Sequence, residues 1–254
     1  MRRVFITGAS SGIGEALARH YGGADTALGL FARRRDLLEQ LAASLPGQTA
    51  IYPADIADPD AVAGAARDFI ERFGTPDLVI ANAGISVGTH GDELQDVGKL
   101  RRVLDVNVAG LAATLAAFAP AMRTAGGGTL CGIASLAGFR GLPGAGAYSA
   151  SKAAAIAWLE SLRAELAGSG VCVVTLCPGY IDTPMTRVNK YRMPFLLSAD
   201  EAARRFARAI AARRRLAVIP WQMALVSLAL RAMPGWLYDR LAARAPRKPR
   251  DIAA

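Results

Sequence analysis

Histidine is almost missing from this chain: His20 and His90 are the only two in 254 residues, and none follows residue 90. That scarcity argues against histidine-rich metal centres and against any nucleophilic hydrolase whose general base is a late histidine. Cysteine is nearly as scarce. Cys131, Cys172 and Cys177 show no Cys-x-x-Cys spacing and no histidine partner, so neither a disulfide framework nor a metal site is expected, and the thiols read as buried and reduced. No internal repeat or low-complexity tract is found. The basic start Met1-Arg2-Arg3 leads into an apolar stretch that breaks within a few residues at glycines and serines, so no signal peptide is evident and a cytoplasmic location is expected. Leu216 to Leu230 is strongly apolar, but it is too short for a spanning helix and Pro220 interrupts it. Acidic residues are outnumbered 21 to 30 by lysine and arginine, a net charge of +9. The surplus sits in helical arginines and in the tail Arg244 to Arg250. No nucleic-acid-binding motif accompanies it, so solvated basic faces and a disordered tail over 244–254 are expected rather than a nucleic-acid partner.

What is present is apolar mass in a regular alternation. Hydrophobic residues make up 52% of the chain, enough for one large core. Strand-like runs, at Val4–Ile6, Thr26–Phe31, Thr49–Tyr52, Leu78–Ala81, Thr129–Ile133, Val171–Leu176 and Leu216–Ile219, alternate with helical ones. The series predicts an α/β fold, a parallel sheet with helices on both faces. Asp58-Pro59 opens a helix that runs to Phe73, and Gly74-Thr75-Pro76 stops it. Long helices are predicted over Leu100–Arg123 and Tyr148–Leu166, and an apolar helix over Trp221–Leu230 that continues past Pro234 through Trp236, Leu237 and Tyr238.

Two stretches carry chemistry. Tyr148 and Lys152 stand four residues apart in Tyr-Ser-Ala-Ser-Lys, about one helical turn, so phenol and ammonium share a face. A neighbouring ammonium favours the phenolate and predicts a phenol pKa brought down from roughly 10 toward the range of a general acid/base. Such a pair also fits an ordinary solvated helix face. Near the N-terminus, Val4-Phe5-Ile6 passes into Thr7-Gly8-Ala9-Ser10-Ser11-Gly12-Ile13-Gly14, a strand, a glycine turn and a helix start. Glycines there permit a tight turn and the close approach of a pyrophosphate to the free amides of the new helix. A tight connection that binds nothing would look similar. Gly8-Ala9-Ser10-Ser11-Gly12 also satisfies the Gly-x-Ser-x-Gly nucleophile elbow. That reading fails for want of a late histidine.

Together these motifs resemble the short-chain dehydrogenase/reductase family, in its compact single-domain branch, from about Arg3 to about Ile219. The further matches are Asp55-Ile56, Asn82-Ala83-Gly84, Asn107, Ser135, Pro178-Gly179, Ile181 and Thr183. Ala81 departs from a frequent asparagine. The resemblance implies a Rossmann-type doubly wound parallel sheet of about seven strands over 1–220. It implies a nicotinamide cofactor held by Gly8, Ser10, Ser11, Gly12, Ile13, Gly14, Asp55, Ile56, Asn82, Ala83, Gly84, Pro178, Gly179, Ile181 and Thr183, with Tyr148 and Lys152. It implies catalysis by Ser135, Tyr148, Lys152 and Asn107. In that scheme Ser135 orients a carbonyl oxygen, Tyr148 exchanges its proton, Lys152 lowers the tyrosine pKa and holds the nicotinamide ribose, and Asn107 anchors a water of a proton relay. A turn serine and an asparagine that satisfies helix backbone would look the same.

The second strand ends in Arg33-Arg34-Arg35, with no carboxylate at its tip. A guanidinium there suits the 2′-phosphate of NADP, and the resemblance makes Arg33 the best-placed candidate, so NADP(H) is expected over NAD(H); arginines opening a helix also fit an ordinary solvated face. Leu136, Phe139, Leu142, Tyr180 and Met185, with a lid over about 183–198 bearing Arg187, Lys190, Tyr191 and Arg192, are expected to shape the substrate pocket. The expected function is hydride transfer between the nicotinamide and an apolar carbonyl or secondary alcohol, or a 3-ketoacyl thioester. The competing class is a cofactor-binding regulator without turnover. The extension 221–243 could cover the pocket, pair subunits in a homodimer or homotetramer, or touch a membrane surface.

Overall fold

The computed structural model describes residues 1–189, 191–243 and 248. The first half alternates β1 (Arg2–Thr7), α1 (Gly12–Tyr21), β2 (Thr26–Ala32), α2 (Arg35–Ala43), β3 (Gln48–Pro53), α3 (Pro59–Phe73) and β4 (Leu78–Ala81). After it come α4 (Val97–Leu104), α5 (Gly110–Thr124), β5 (Gly128–Ile133), α6 (Gly146–Glu165) and β6 (Val171–Pro178). The chain then forms β7 (Ile181–Asp182), α7 (Pro184–Arg187), β8 (Leu197–Ser198), α8 (Ala199–Ala211), β9 (Leu216–Ile219), α9 (Gln222–Ala232) and α10 (Gly235–Ala242).

Seven strands make one parallel sheet in the order β3-β2-β1-β4-β5-β6-β9, and all seven are runs predicted from sequence. Every residue of β2 is buried, as expected for an inner strand covered on both faces. On one side Leu17, Leu38 and Phe206 bring α1, α2 and α8 onto the sheet. On the other, Phe69, Leu115 and Leu159 bring α3, α5 and α6. The strand order reverses between β1 and β4, which opens a crevice at the carboxyl ends of those two strands.

Local chemistry sets the boundaries. The Asp58 carboxylate accepts hydrogen bonds from the amides of Asp60 (3.0 Å) and Ala61 (3.1 Å), which caps α3. Gly74 ends it at a φ of 86°. Gly29 in β2 leaves room for an aromatic cluster in which Phe5 meets Phe118 at 4.7 Å and Phe69 at 5.5 Å between ring centroids. A Cβ at Gly29 would stand 2.4 Å from a Phe5 ring carbon and 2.7 Å from one of Phe69. Both rings are fully buried and have nowhere to go. Gly29→Ala is therefore expected to cost about 1–3 kcal/mol by overpacking, read as a fall of several degrees in Tm by thermal unfolding. An unchanged Tm would show that the cluster yields.

Two helices differ from expectation. The stretch predicted as one helix over Leu100–Arg123 starts earlier, at Val97, and is interrupted by a wide π-helical turn over Asp105–Ala109. The apolar helix expected to continue through Pro234 instead breaks there. Met233 turns extended (φ −67°, ψ 128°), as the residue before a proline prefers, and α10 starts afresh at Gly235. Arg140 bonds the carbonyls of Leu230 (3.0 Å) and Met233 (3.1 Å), which α9 leaves unpaired at its end, and lies 4.3 Å over the Tyr238 ring. The Tyr238 hydroxyl donates to the Gly141 carbonyl. These contacts hold both helices against the loop that follows β5. Their outer faces expose Trp221, Leu225, Leu228 and Trp236.

Candidate active site

The crevice between β1 and β4 is a cleft of about 240 Å³. At its floor Gly8 and Gly12 take positive φ of 68° and 59°, a region that glycine enters without strain. A Cβ on Gly14 would lie 2.1 Å from the Gly8 carbonyl, so Gly14 lets α1 press onto the turn and does not itself line the cleft. Asn82 ties β4 to this turn: its amide nitrogen donates to the carbonyls of Thr7 (3.0 Å) and Gly8 (3.3 Å). Ser11 precedes α1 without forming a side-chain cap, which leaves the first amides of that helix without a side-chain partner.

One end of the cleft is strongly basic. Arg33, Arg34 and Arg102 line it against a single carboxylate, Asp55. Arg34 bonds the hydroxyls of Ser10 (3.1 Å) and Ser11 (2.8 Å), so the second arginine of the run, not Arg33, is the one tied to the turn. Arg102 pairs with Asp55 at 2.5 Å. Burial pushes the Asp55 carboxyl up, but the Ala57 amide and the Arg102 guanidinium outweigh it and hold the carboxyl below its ordinary value. Arg35 faces away and lies 3.7 Å from Glu39 on α2. Arg34 and Arg102 were not singled out from sequence: the first looked like its neighbours, and the second meets a partner 47 positions away.

The other end holds Tyr148 and Lys152 on α6; Ser135, just past β5, is buried and does not itself line the cleft. The Ser135 hydroxyl accepts from the Ala137 amide (3.1 Å), a turn cap, and also hydrogen-bonds Tyr148, so the turn role and contact with the tyrosine coexist. The phenol corrects the sequence reading. Burial pushes its pKa above the ordinary value, with the Ser135 hydroxyl pulling the other way. Lys152 is not what sets it: its ammonium lies 5.8 Å from the Tyr148 ring centroid and donates to the Ile133 carbonyl at 2.8 Å. Burial brings Lys152 itself down to about 8.

Asn107 is fully buried in the π-helical turn. Its side chain accepts from the Ile85 amide (2.8 Å) and donates to the Ile85 carbonyl (2.9 Å) and the Ser151 hydroxyl (3.0 Å). It stitches the loop after β4 to α6 behind Gly84. A Cβ on Gly84 would stand 3.2 Å from the Asn107 oxygen and 3.6 Å from the Lys152 ammonium.

The remaining sequence candidates divide. Ile13, Ile56, Ala83, Pro178 and Thr183 line the cleft, and so does Met185, which was expected in the substrate pocket. Thr183 packs against Gly12, where a Cβ would meet its methyl at 3.1 Å. Gly179 packs on Met223 and Ile181 is buried in the core; neither lines the cleft. Leu142 and Tyr180 line a second cavity of about 370 Å³, with Tyr191 and Arg192 from the lid and Leu230, Met233, Tyr238 and Leu241 from α9, α10 and the turn between them. Leu136 and Phe139 line neither cavity; Phe139 lies under Arg231 of α9, 5.5 Å from ring centroid to guanidinium. The lid is clasped at its base, where β7 pairs with β8, Ile181 against Leu197 and Asp182 against Ser198. Arg187 is spent on Asp182 at 2.7 Å. Lys190 and the tail expected to be disordered, apart from Lys248, lie outside the described residues. His20 and His90 line neither cavity, and all three cysteines are free thiols.

A cleft with a positive-φ glycine floor, uncapped amides, a basic end and a tyrosine–lysine pair at the other fits an elongated anionic dinucleotide. The comparisons agree. The family model described as short chain dehydrogenase matches residues 2–193. An uncharacterized oxidoreductase of Myxococcus xanthus is 37% identical over 248 residues, 96% of this chain and 97% of its own. Dehydrogenase/reductase SDR family member 7B of Mus musculus is 37% identical over 191 residues, 72% of this chain and 58% of its own. The solved alcohol dehydrogenase of the archaeon Thermococcus sibiricus, complexed with 5-hydroxy-NADP, aligns with a TM-score of 0.77 at 29% identity, over 86% of this chain and 96% of its own. The resemblance read from the sequence thus holds across the chain: it belongs to the short-chain dehydrogenase/reductase family and is an NAD(P)-dependent oxidoreductase of that family.

Proposed function

We propose that the protein uses NADP(H) to interconvert a carbonyl compound and the corresponding alcohol, with Tyr148 as the general acid and base. The observation that carries this reading is the placement of Tyr148 and Lys152 at one end of a cleft, with the buried Ser135 hydroxyl acting on Tyr148, while the other end is lined by Arg33, Arg34 and Arg102. The glycine turn and the α1 amides would hold the pyrophosphate, and Arg33 with Arg34 the 2′-phosphate. The nicotinamide, when bound, supplies or accepts the hydride. Ser135 orients the substrate oxygen toward Tyr148, and Tyr148 gives that oxygen a proton in reduction or takes one in oxidation. Lys152, anchored on the Ile133 carbonyl, fixes a positive charge beneath the phenol, and Asn107 positions α6 against the loop after β4. The second cavity, lined by tyrosines and by Leu142, Leu230 and Met233, suits a substrate with an apolar body. The 5-hydroxy-NADP bound by the Thermococcus sibiricus alcohol dehydrogenase supports the same cofactor.

The test is NADPH oxidation, with NADH alongside, against a panel of ketones, aldehydes and ketoacyl thioesters, and NADP reduction with secondary alcohols. Turnover that prefers NADPH supports the proposal; tight NADPH binding with no turnover on any of them overturns it in favour of a non-catalytic cofactor binder.

The raised phenol pKa sets the pH dependence. Reduction needs the protonated phenol, which a raised pKa preserves as pH rises, so its kcat/KM is expected to stay flat from about pH 6 to 8. Oxidation needs the phenolate, so its kcat/KM is expected to climb over the same range. A flat oxidation profile there would mean that another group takes the proton.

A further inference from the structure

Lys248 stands where the two cavities meet. It lines the second cavity, its ammonium donates to the Ser86 hydroxyl at 2.7 Å, and it lies 5.8 Å from the Tyr148 ring centroid. Ser86 and Tyr148 both belong to the wall of the first cavity. An ammonium carries three donors, and the Ser86 hydroxyl takes one. No acidic side chain is among the described residues that line the second cavity, whose charged members are Arg192 and Lys248. Among the described residues Lys248 meets a largely apolar wall and the Ser86 hydroxyl, which does not replace the hydration an ammonium loses there. Burial accordingly brings Lys248 down to about 8.

We propose that Lys248 is a specificity-determining residue whose ammonium receives an anionic group, a carboxylate or a sulfonate, on a substrate whose apolar body fills the second cavity. The proposal rests on the carbonyl-reduction reading above for the identity of the site. The Lys248 ammonium lies 5.8 Å from the Tyr148 ring centroid, so a substrate bound this way carries its charge near the reacting oxygen rather than at a far terminus. Arg192, on the lid, adds a second positive charge to the same wall.

The experiment uses the full chain, loaded with NADPH, and the variants Lys248→Met and Lys248→Arg. Calorimetry compares hexanoate with hexanamide, and steady-state assays compare 2-oxohexanoate with its methyl ester. The unmodified protein is expected to bind hexanoate at least about tenfold tighter than hexanamide, in line with a charge-assisted hydrogen bond. Lys248→Met should abolish that preference and the matching preference in KM, and Lys248→Arg should keep most of it. Equal affinity for the two probes in the unmodified protein overturns the proposal, as does an unaltered preference in Lys248→Met. A rise in rate on acid and ester alike in Lys248→Met also overturns it, because the lysine would then merely obstruct the pocket. Failure of the carbonyl-reduction reading looks different: no NADPH oxidation with either compound, while the hexanoate comparison still reports on Lys248.

Discussion

Tyr148→Phe should lose about 10³-fold in kcat in both directions, within the range that one positioned proton-transfer group contributes, while NADPH affinity changes only a few-fold. The substitution keeps the ring, so the contacts of Lys152 and Lys248 with its face survive, as does the start of α6. What goes is the hydroxyl, the atom that Ser135 hydrogen-bonds. The neighbouring ionisable groups are engaged or raised: Lys152 is anchored on the Ile133 carbonyl, Lys248 donates to Ser86, and Cys177 is pushed up to about 12 by burial. Steady-state kinetics with NADPH and a carbonyl substrate, with fluorescence titration of NADPH as the control for folding, decide the matter. A variant that retains more than about a tenth of the activity would move the proton transfer elsewhere, and Lys248 would be the next residue to test.

The sheet was legible in the sequence because a parallel strand covered on both faces reads as a continuous apolar run. The inner strands did so, with β2 buried along its whole length, while the edge strands β3 and β9 are only partly covered. The ends of α3 were legible for a local reason, since Asp58-Pro59 and Gly74 act within one turn of themselves. The glycine turn and the Tyr148–Lys152 face were likewise properties of contiguous residues. What sequence could not give was set by distance along the chain. The π-helical turn carries Asn107, whose partner Ile85 lies 22 positions earlier, and nothing within α4 or α5 announces it. The phenol pKa was misjudged because the spacing that joins Tyr148 to Lys152 says nothing of burial or of the Ile133 carbonyl that claims the ammonium. Pro234 is the converse case. Its signal was local and strong, and the apolar residues on either side of it masked a break that proline chemistry already required.

Arg33→Asp is expected to move the ratio of kcat/KM for NADPH over NADH by about 10²–10³ toward NADH. A guanidinium on a phosphate contributes a charge-assisted hydrogen bond of about 1.5–3 kcal/mol, and a carboxylate in its place adds repulsion against the same phosphate. The ribose hydroxyls of NADH, by contrast, gain an acceptor. The structure makes the outcome depend on how the basic end divides its work. Arg34 is held on Ser10 and Ser11, and Arg102 on Asp55, whereas Arg33 lines the cleft with its charge felt at Asp55. Arg33→Asp therefore changes the charge at the end of β2 and leaves the tie between Arg34 and the turn in place. Arg34→Ala should act differently: losing a link to the glycine turn, it should weaken NADPH and NADH together, with a further loss only for NADPH. Parallel titrations of both dinucleotides against the two variants separate these effects. If Arg33→Asp keeps its NADPH affinity while Arg34→Ala loses it selectively, the phosphate belongs to Arg34; if neither shifts the ratio, the basic end does not select NADP at all.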